Sequence, residues 1–158
     1  MATDKLDDVI SHSPEETLAF GRKLARLLQP PCAVLLEGEL GSGKTTLTKG
    51  IVAGLGAARE EDVTSPTFTL VHEYANNQAA DTGVRVCHVD LYRIERRSDI
   101  ESLGLDELFN ARSTVIIEWG DKLPDQPPVP LFRIRLQAVG HSEFDRNIVV
   151  EKQERVAP

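Results

Sequence analysis

The run Gly38-Glu39-Leu40-Gly41-Ser42-Gly43-Lys44-Thr45 has the spacing G-x-x-x-x-G-K-[ST]. That spacing commits a chain to a strand, a tight anion-binding loop and a helix, in that order. Its glycines let the backbone curl so that successive N–H groups converge on phosphate oxygens, where a side chain would collide. Lys44 carries an ammonium toward the β- and γ-phosphates of a nucleotide, and the Thr45 hydroxyl is placed to ligate Mg²⁺. The flanking sequence has the required form. Cys32 to Glu37 is a short apolar run of buried-strand type, and Leu47, Ile51 and Leu55 recur with helical spacing after the loop.

Other segments fall around this unit. Ser13-Pro14-Glu15-Glu16 reads as a capping box that opens a helix with Leu18, Gly21, Leu24, Ala25 and Leu28 on one stripe, ended by Pro30-Pro31. Phe68 to Tyr74 alternates as a strand, Asn76 to Gly83 is turn-rich, and Val84 to Leu91 reads as the return strand of a hairpin. Ser98-Asp99-Ile100-Glu101 reads as a second capping box, opening a helical segment through Phe109. Thr114 to Glu118 is a buried strand, and the proline-rich stretch from Leu123 to Pro130 is a loop. Leu131 to Ala138 alternates as a strand, onto which Arg146 to Glu151 pairs back, and Gln153 to Pro158 is a fraying tail. The expected fold is α/β, a P-loop NTPase-like three-layer sandwich around a mixed parallel and antiparallel sheet. One domain over residues 1–158 is expected, with its core at about 13–151.

Composition narrows the function classes. A formal net charge of −7 argues against direct, salt-driven binding to nucleic acid, though not against acting on a nucleic acid held by another protein. Without a membrane-length apolar run or the layout of a signal peptide, the chain is expected in the cytoplasm. Cys32 and Cys87 sit in apolar strand runs as small core residues, and the four histidines lack zinc spacing.

Three further segments carry candidate chemistry. Glu118 ends a strand expected beside the phosphate-loop strand, at the edge where such folds bind ligands, and would supply one carboxylate to Mg²⁺. Ser65, Pro66 and Thr67 form either a switch-like segment over the γ-phosphate or a turn entering a strand. His88 and Asp90 share one strand face with Arg93 just beyond; Asp90 could orient an attacking water and Arg93 offset transferred charge, or the pair could be structural.

Taken in order, the phosphate loop, Ser65-Pro66-Thr67-Phe68-Thr69-Leu70-Val71 with Tyr74, His88-Val89-Asp90-Leu91-Tyr92-Arg93, Leu103-Gly104 and Ile117-Glu118-Trp119-Gly120 resemble the signature of the TsaE (formerly YjeE) family over about residues 13 to 151. Ser42 and Val89 depart from its usual alanine and phenylalanine, and the C-terminal part matches loosely apart from Arg146-Asn147-Ile148. The resemblance implies a small bacterial ATPase that binds ATP and ADP with Mg²⁺ and hydrolyses ATP slowly alone. It implies action with the TsaB–TsaD heterodimer in forming the threonylcarbamoyl group on an adenosine of tRNAs reading codons that begin with A. Contact with tRNA would be only indirect, and none with a membrane is implied. Carried onto this chain, Gly41, Ser42, Gly43, Lys44, Thr45 and Thr46 hold the phosphates, Thr45 and Glu118 hold Mg²⁺, and Asp90 is required for hydrolysis together with Lys44 and Glu118. Thr17 and Arg146 are candidates for the adenine side. Trp119 lies beside the metal site or is a core aromatic. Two other readings stay open: a kinase with Arg93, Arg96 and Arg97 as a phosphate-clamping lid, and a nucleotide-gated binding module. A GTPase is disfavoured by the absence of an Asn-Lys-x-Asp element.

Overall fold

A computed structural model describes residues 3–66, 70–75, 83 and 85–154. Seven strands form one sheet: β1 (Thr3–Ser11), β2 (Cys32–Glu37), β3 (Val71–Ala75), β4 (Arg85–Asp90), β5 (Ser113–Glu118), β6 (Leu131–Ala138) and β7 (Arg146–Gln153). Among the described residues three α-helices accompany them, α1 (Pro14–Ala25), α2 (Lys44–Gly54) and α3 (Arg97–Ser102), with short 3-10 turns between elements. The spatial order is β1-β7-β6-β2-β5-β4-β3. β2 runs parallel to both β5 and β6, and β4 parallel to β5, while β7, β1 and β3 add antiparallel edges. The mixed sheet expected from the sequence is therefore present.

Strand alternation sorts the core into two layers. Val34, Leu36, Ile116, Ile134 and Ile148 point toward α1 and α2, packing on Leu24, Leu47 and Ile51. On the opposite face, Ala33, Leu35, Val89, Val115 and Ile117 pack beneath Ile100, Leu105 and Val129. His88, Asp90 and Glu118 fall on the α2 face because their odd-even phase matches that of Val86 and Ile116.

The structure departs from the sequence reading in several places. β1 was not read from the sequence: most of its residues are exposed, and a register shift between Lys5 and Asp7 breaks the alternation that marks a strand. Ser98 does not cap α3, whose N-cap is Arg96, two residues earlier and without a side-chain hydrogen bond, and which is anchored by the buried Ile100. Gln153 belongs to β7, paired with both Thr3 and Leu131, so the strand covers the expected start of the tail, of which 155–158 lie outside the described residues. The expected strand from Phe68 begins at Val71, with Phe68 and Thr69 outside the described residues, as is most of the turn from Asn76 to Gly83. Ser13 caps α1 through the Glu16 N–H at 3.1 Å, while the Glu16 carboxylate accepts from the His12 N–H rather than closing the box on Ser13.

The two long helices touch backbone to backbone. A Cβ on Gly50 would lie 2.3 Å from the Leu18 carbonyl oxygen, and one on Gly21 would lie 2.6 Å from that of Leu47. Neither obstacle is a side chain that can rotate away. Gly50→Ala therefore forces the helices apart, at an overpacking cost of about 1–3 kcal/mol. A fall in melting temperature of roughly 5 °C is expected by circular dichroism; an unchanged melt would mean that the helices separate at no cost.

Candidate active site

The loop leaving β2 is shaped by close contacts at its start and by left-handed backbone further on. A Cβ on Gly38 would meet Ser42 Oγ at 2.5 Å and the Leu136 carbonyl at 2.6 Å. Gly43, at φ +103°, is the N-cap of α2 and offers no side chain to the first turn, which also lacks acidic residues. The first N–H groups of α2 thus keep their donors for an anion, reinforced by the helix dipole.

Lys44 is only 5 % exposed. Its Nζ donates to the carbonyls of Gly38 at 2.6 Å and Glu39 at 2.8 Å, and lies 4.2 Å from the centre of the Trp119 ring. Burial pushes its ammonium below the ordinary lysine value, opposed by the charges of Glu118, Asp90 and Glu39.

Opposite the helix, the parallel register sets Asp90 beside Glu118 at the carboxyl ends of β4 and β5. Both are buried, at 6 % and 2 % exposure. Glu118 Oε1 accepts from the Thr45 hydroxyl at 3.1 Å, and Oε2 accepts from Ser65 Oγ at 3.1 Å and lies 2.7 Å from His88 Nε2. Ser65 Oγ is also 2.9 Å from Asp90 Oδ2, and Asp90 Oδ1 accepts from the Tyr92 N–H at 2.9 Å. Burial pushes the Glu118 carboxyl up. The hydrogen bond and charge of His88, with the Thr45 and Ser65 hydroxyls, outweigh it and bring the group below its ordinary value.

Two hollows share this edge. One of about 420 Å³ is lined by Lys44, Thr45, Thr46, Ser65, Asp90 and Glu118 among others. The second, of about 700 Å³, opens toward β6 and includes Gly41, Ser42, Arg135 and Arg146. Trp119, at φ +61°, borders both and stacks against Tyr92 with ring centres 5.2 Å apart. It therefore borders the site while also packing, partly buried, against the core layer of Leu35 and Ile117. Arg146 donates from Nε to the Ser42 carbonyl at 3.1 Å and from Nη2 to that of Gly41 at 3.2 Å, bracing the loop from β7. Thr17 lines neither hollow; its hydroxyl lies 2.7 Å from that of Ser11 and ties α1 to β1. Pro66 is buried and its carbonyl accepts from the Leu70 N–H, whereas Thr67 lies outside the described residues. Arg93 is exposed beyond β4, and Arg97 pairs with Glu101 and Asp125 at the start of α3. Sequence reasoning grouped His88 with Asp90; its polar partner is instead Glu118 on the neighbouring strand.

The donor set suits Mg²⁺ carried in by phosphates. Such an ion takes one or two protein oxygens and completes its octahedron with phosphate and water. Thr45 and Glu118 would provide that pair, and among the described residues no group of three His, Cys, Asp or Glu forms a cage of its own. Nor, among those residues, is any helix long and apolar enough to cross a membrane.

The family described as "Threonylcarbamoyl adenosine biosynthesis protein TsaE" matches residues 11–148. A Bacillus subtilis protein named tRNA threonylcarbamoyladenosine biosynthesis protein TsaE is 40% identical over 131 residues, covering 83% of this chain and 77% of its own length. One of the same name from Treponema pallidum is 32% identical over 141 residues, covering 89% and 97%. The crystal structure of Bacillus subtilis YdiB superimposes with a TM-score of 0.72 at 30% identity, covering 96% of this chain and 87% of that one.

Proposed function

We propose, from the premise that this chain belongs to the TsaE family of tRNA threonylcarbamoyladenosine biosynthesis proteins, that it is a Mg²⁺-dependent ATPase, slow alone and stimulated by the TsaB–TsaD pair. The observation that carries this reading is the junction of the phosphate loop with two buried carboxylates. Thr45 at the first turn of α2 bonds Glu118, and Ser65 links Glu118 to Asp90. The phosphates would lie over the N-terminus of α2, and the Lys44 ammonium would exchange the Gly38 and Glu39 carbonyls for β- and γ-phosphate oxygens. Mg²⁺, when bound, would offset the negative charge of the phosphates. Thr45 and Glu118 would hold it. Asp90, beside Glu118 but not bonded to Thr45, is left to orient the attacking water.

Ser65 is placed to sense the change. Its single hydroxyl proton serves two carboxylates, so a shift at either one alters the segment leading to Pro66. A surface coupled to the γ-phosphate in this way can make association with a partner depend on the nucleotide. The −7 charge suits a protein that acts on another complex and reaches tRNA only through it.

The reading is tested by Glu118→Gln. Loss of the anionic ligand is expected to raise the Mg²⁺ concentration for half-maximal ADP binding by about tenfold or more. Calorimetry measures it directly. Trp119, which borders both hollows, gives a second readout through its fluorescence. An unchanged Mg²⁺ requirement would remove Glu118 from the metal site.

A further inference from the structure

His88 is fully buried in β4, between Val86 and Asp90 along the strand and with Ile116 and His72 opposite it on the neighbouring strands. Its Nε2 lies 2.7 Å from Glu118 Oε2, yet its Nδ1, equally buried, is unpartnered among the described residues. A core imidazole with one nitrogen unmade carries a desolvation cost that an apolar side chain of similar volume avoids. What the ring does for Glu118 offsets that cost.

The two oxygens of Glu118 have separate partners. Oε1 faces the Thr45 hydroxyl, while Oε2 faces His88 and Ser65. Ser65 is an inconstant donor to Oε2, because its one proton can go to Asp90 Oδ2 as well. His88 Nε2 approaches more closely and, among the described residues, meets only this acceptor, so a proton on Nε2 is the arrangement that bonds the carboxylate. It therefore fixes the carboxylate plane, leaving Oε1 beside Thr45.

We propose that His88 is a positioning residue for the Mg²⁺ site. Its Nε2–H holds Glu118 Oε2 so that Oε1 is presented with the Thr45 hydroxyl to the incoming ion. This rests on the reading of Glu118 as a Mg²⁺ ligand. Hydrogen bonds behind a metal-binding carboxylate commonly govern affinity by about 10–100-fold.

The test compares His88→Gln, whose amide N–H reaches the place of Nε2, with His88→Asn, whose shorter side chain stops near Nδ1. ADP binding is measured by calorimetry across a Mg²⁺ series and again with the metal chelated, and melting temperatures are recorded. His88→Asn is expected to raise the Mg²⁺ midpoint about tenfold, with His88→Gln close to the parent and chelated ADP affinity unchanged in both. Equal midpoints for the two variants would overturn the proposal. So would a loss of chelated ADP binding in both, which marks a packing role only. Should His88→Asn fail to fold, ¹⁵N NMR of the metal-free parent still decides: a proton on Nε2, in the neutral or the charged ring, supports the proposal, and a neutral ring with its proton on Nδ1 overturns it. Glu118→Gln serves as the reference. If its midpoint also stays put, the metal-ligand reading falls with the proposal; if it rises while His88→Asn does not, only the positioning role falls.

Discussion

Asp90→Asn is expected to lose about 100-fold or more of ATP turnover while ADP affinity and the Mg²⁺ requirement stay near those of the parent, the range typical of a positioned acid–base group. The carboxylate is buried at the end of β4, with Oδ1 held by the Tyr92 N–H and Oδ2 by Ser65. An asparagine of the same shape keeps an oxygen for Tyr92, and Ser65 retains Glu118 as an acceptor, so the fold and the phosphate loop survive. What disappears is the second acceptor oxygen and the charge, the two properties needed to orient a water and draw on its proton. Phosphate release measures turnover and calorimetry measures ADP binding. A variant with raised Mg²⁺ requirement and retained turnover would exchange the roles of Asp90 and Glu118.

Lys44→Ala is expected to abolish measurable hydrolysis and to weaken ATP far more than AMP. The ammonium sits on the Gly38 and Glu39 carbonyls, at the throat of the loop where the β- and γ-phosphates would lie. Each charge-assisted hydrogen bond is worth about 1.5–3 kcal/mol. ATP affinity should therefore fall by roughly 10–100-fold, since 1.4 kcal/mol is a factor of ten. AMP lacks the phosphates that Lys44 would reach. Equal weakening of ATP, ADP and AMP would assign Lys44 to shaping the loop instead of holding phosphate.

The legible parts of the chain were those where local spacing dictates structure. The glycines of the loop demanded a strand before and a helix after, and β2 and α2 occupy those places. The apolar run ending at Glu118 could only be a buried strand, and its parallel pairing with β2 puts the carboxylate at the loop. Illegible parts depend on contacts between distant segments. His88 and Asp90 are neighbours along one strand, but only the β4–β5 register turns His88 onto Glu118. Arg146 carries no local sign that it braces the carbonyls of Gly41 and Ser42, because β7 reaches the loop only through the tertiary fold. β1 was hidden for a different reason: an exposed edge strand interrupted by acidic residues and a bulge has no apolar period to read.

The family supplies the process; the proposed division of labour within it would put Thr45 and Glu118 at the metal, Lys44 at the phosphates and Asp90 at the water. That division has meaning only if nucleotide turnover serves the partner complex. The most direct measurement is multiple-turnover threonylcarbamoylation of tRNA, reconstituted from purified components with a cognate TsaB–TsaD pair. The parent protein should sustain repeated turnover with ATP hydrolysis stimulated in the complex, and Asp90→Asn should stop after the first round. Undiminished repeated turnover with this protein omitted, or with Asp90→Asn in its place, would contradict the account.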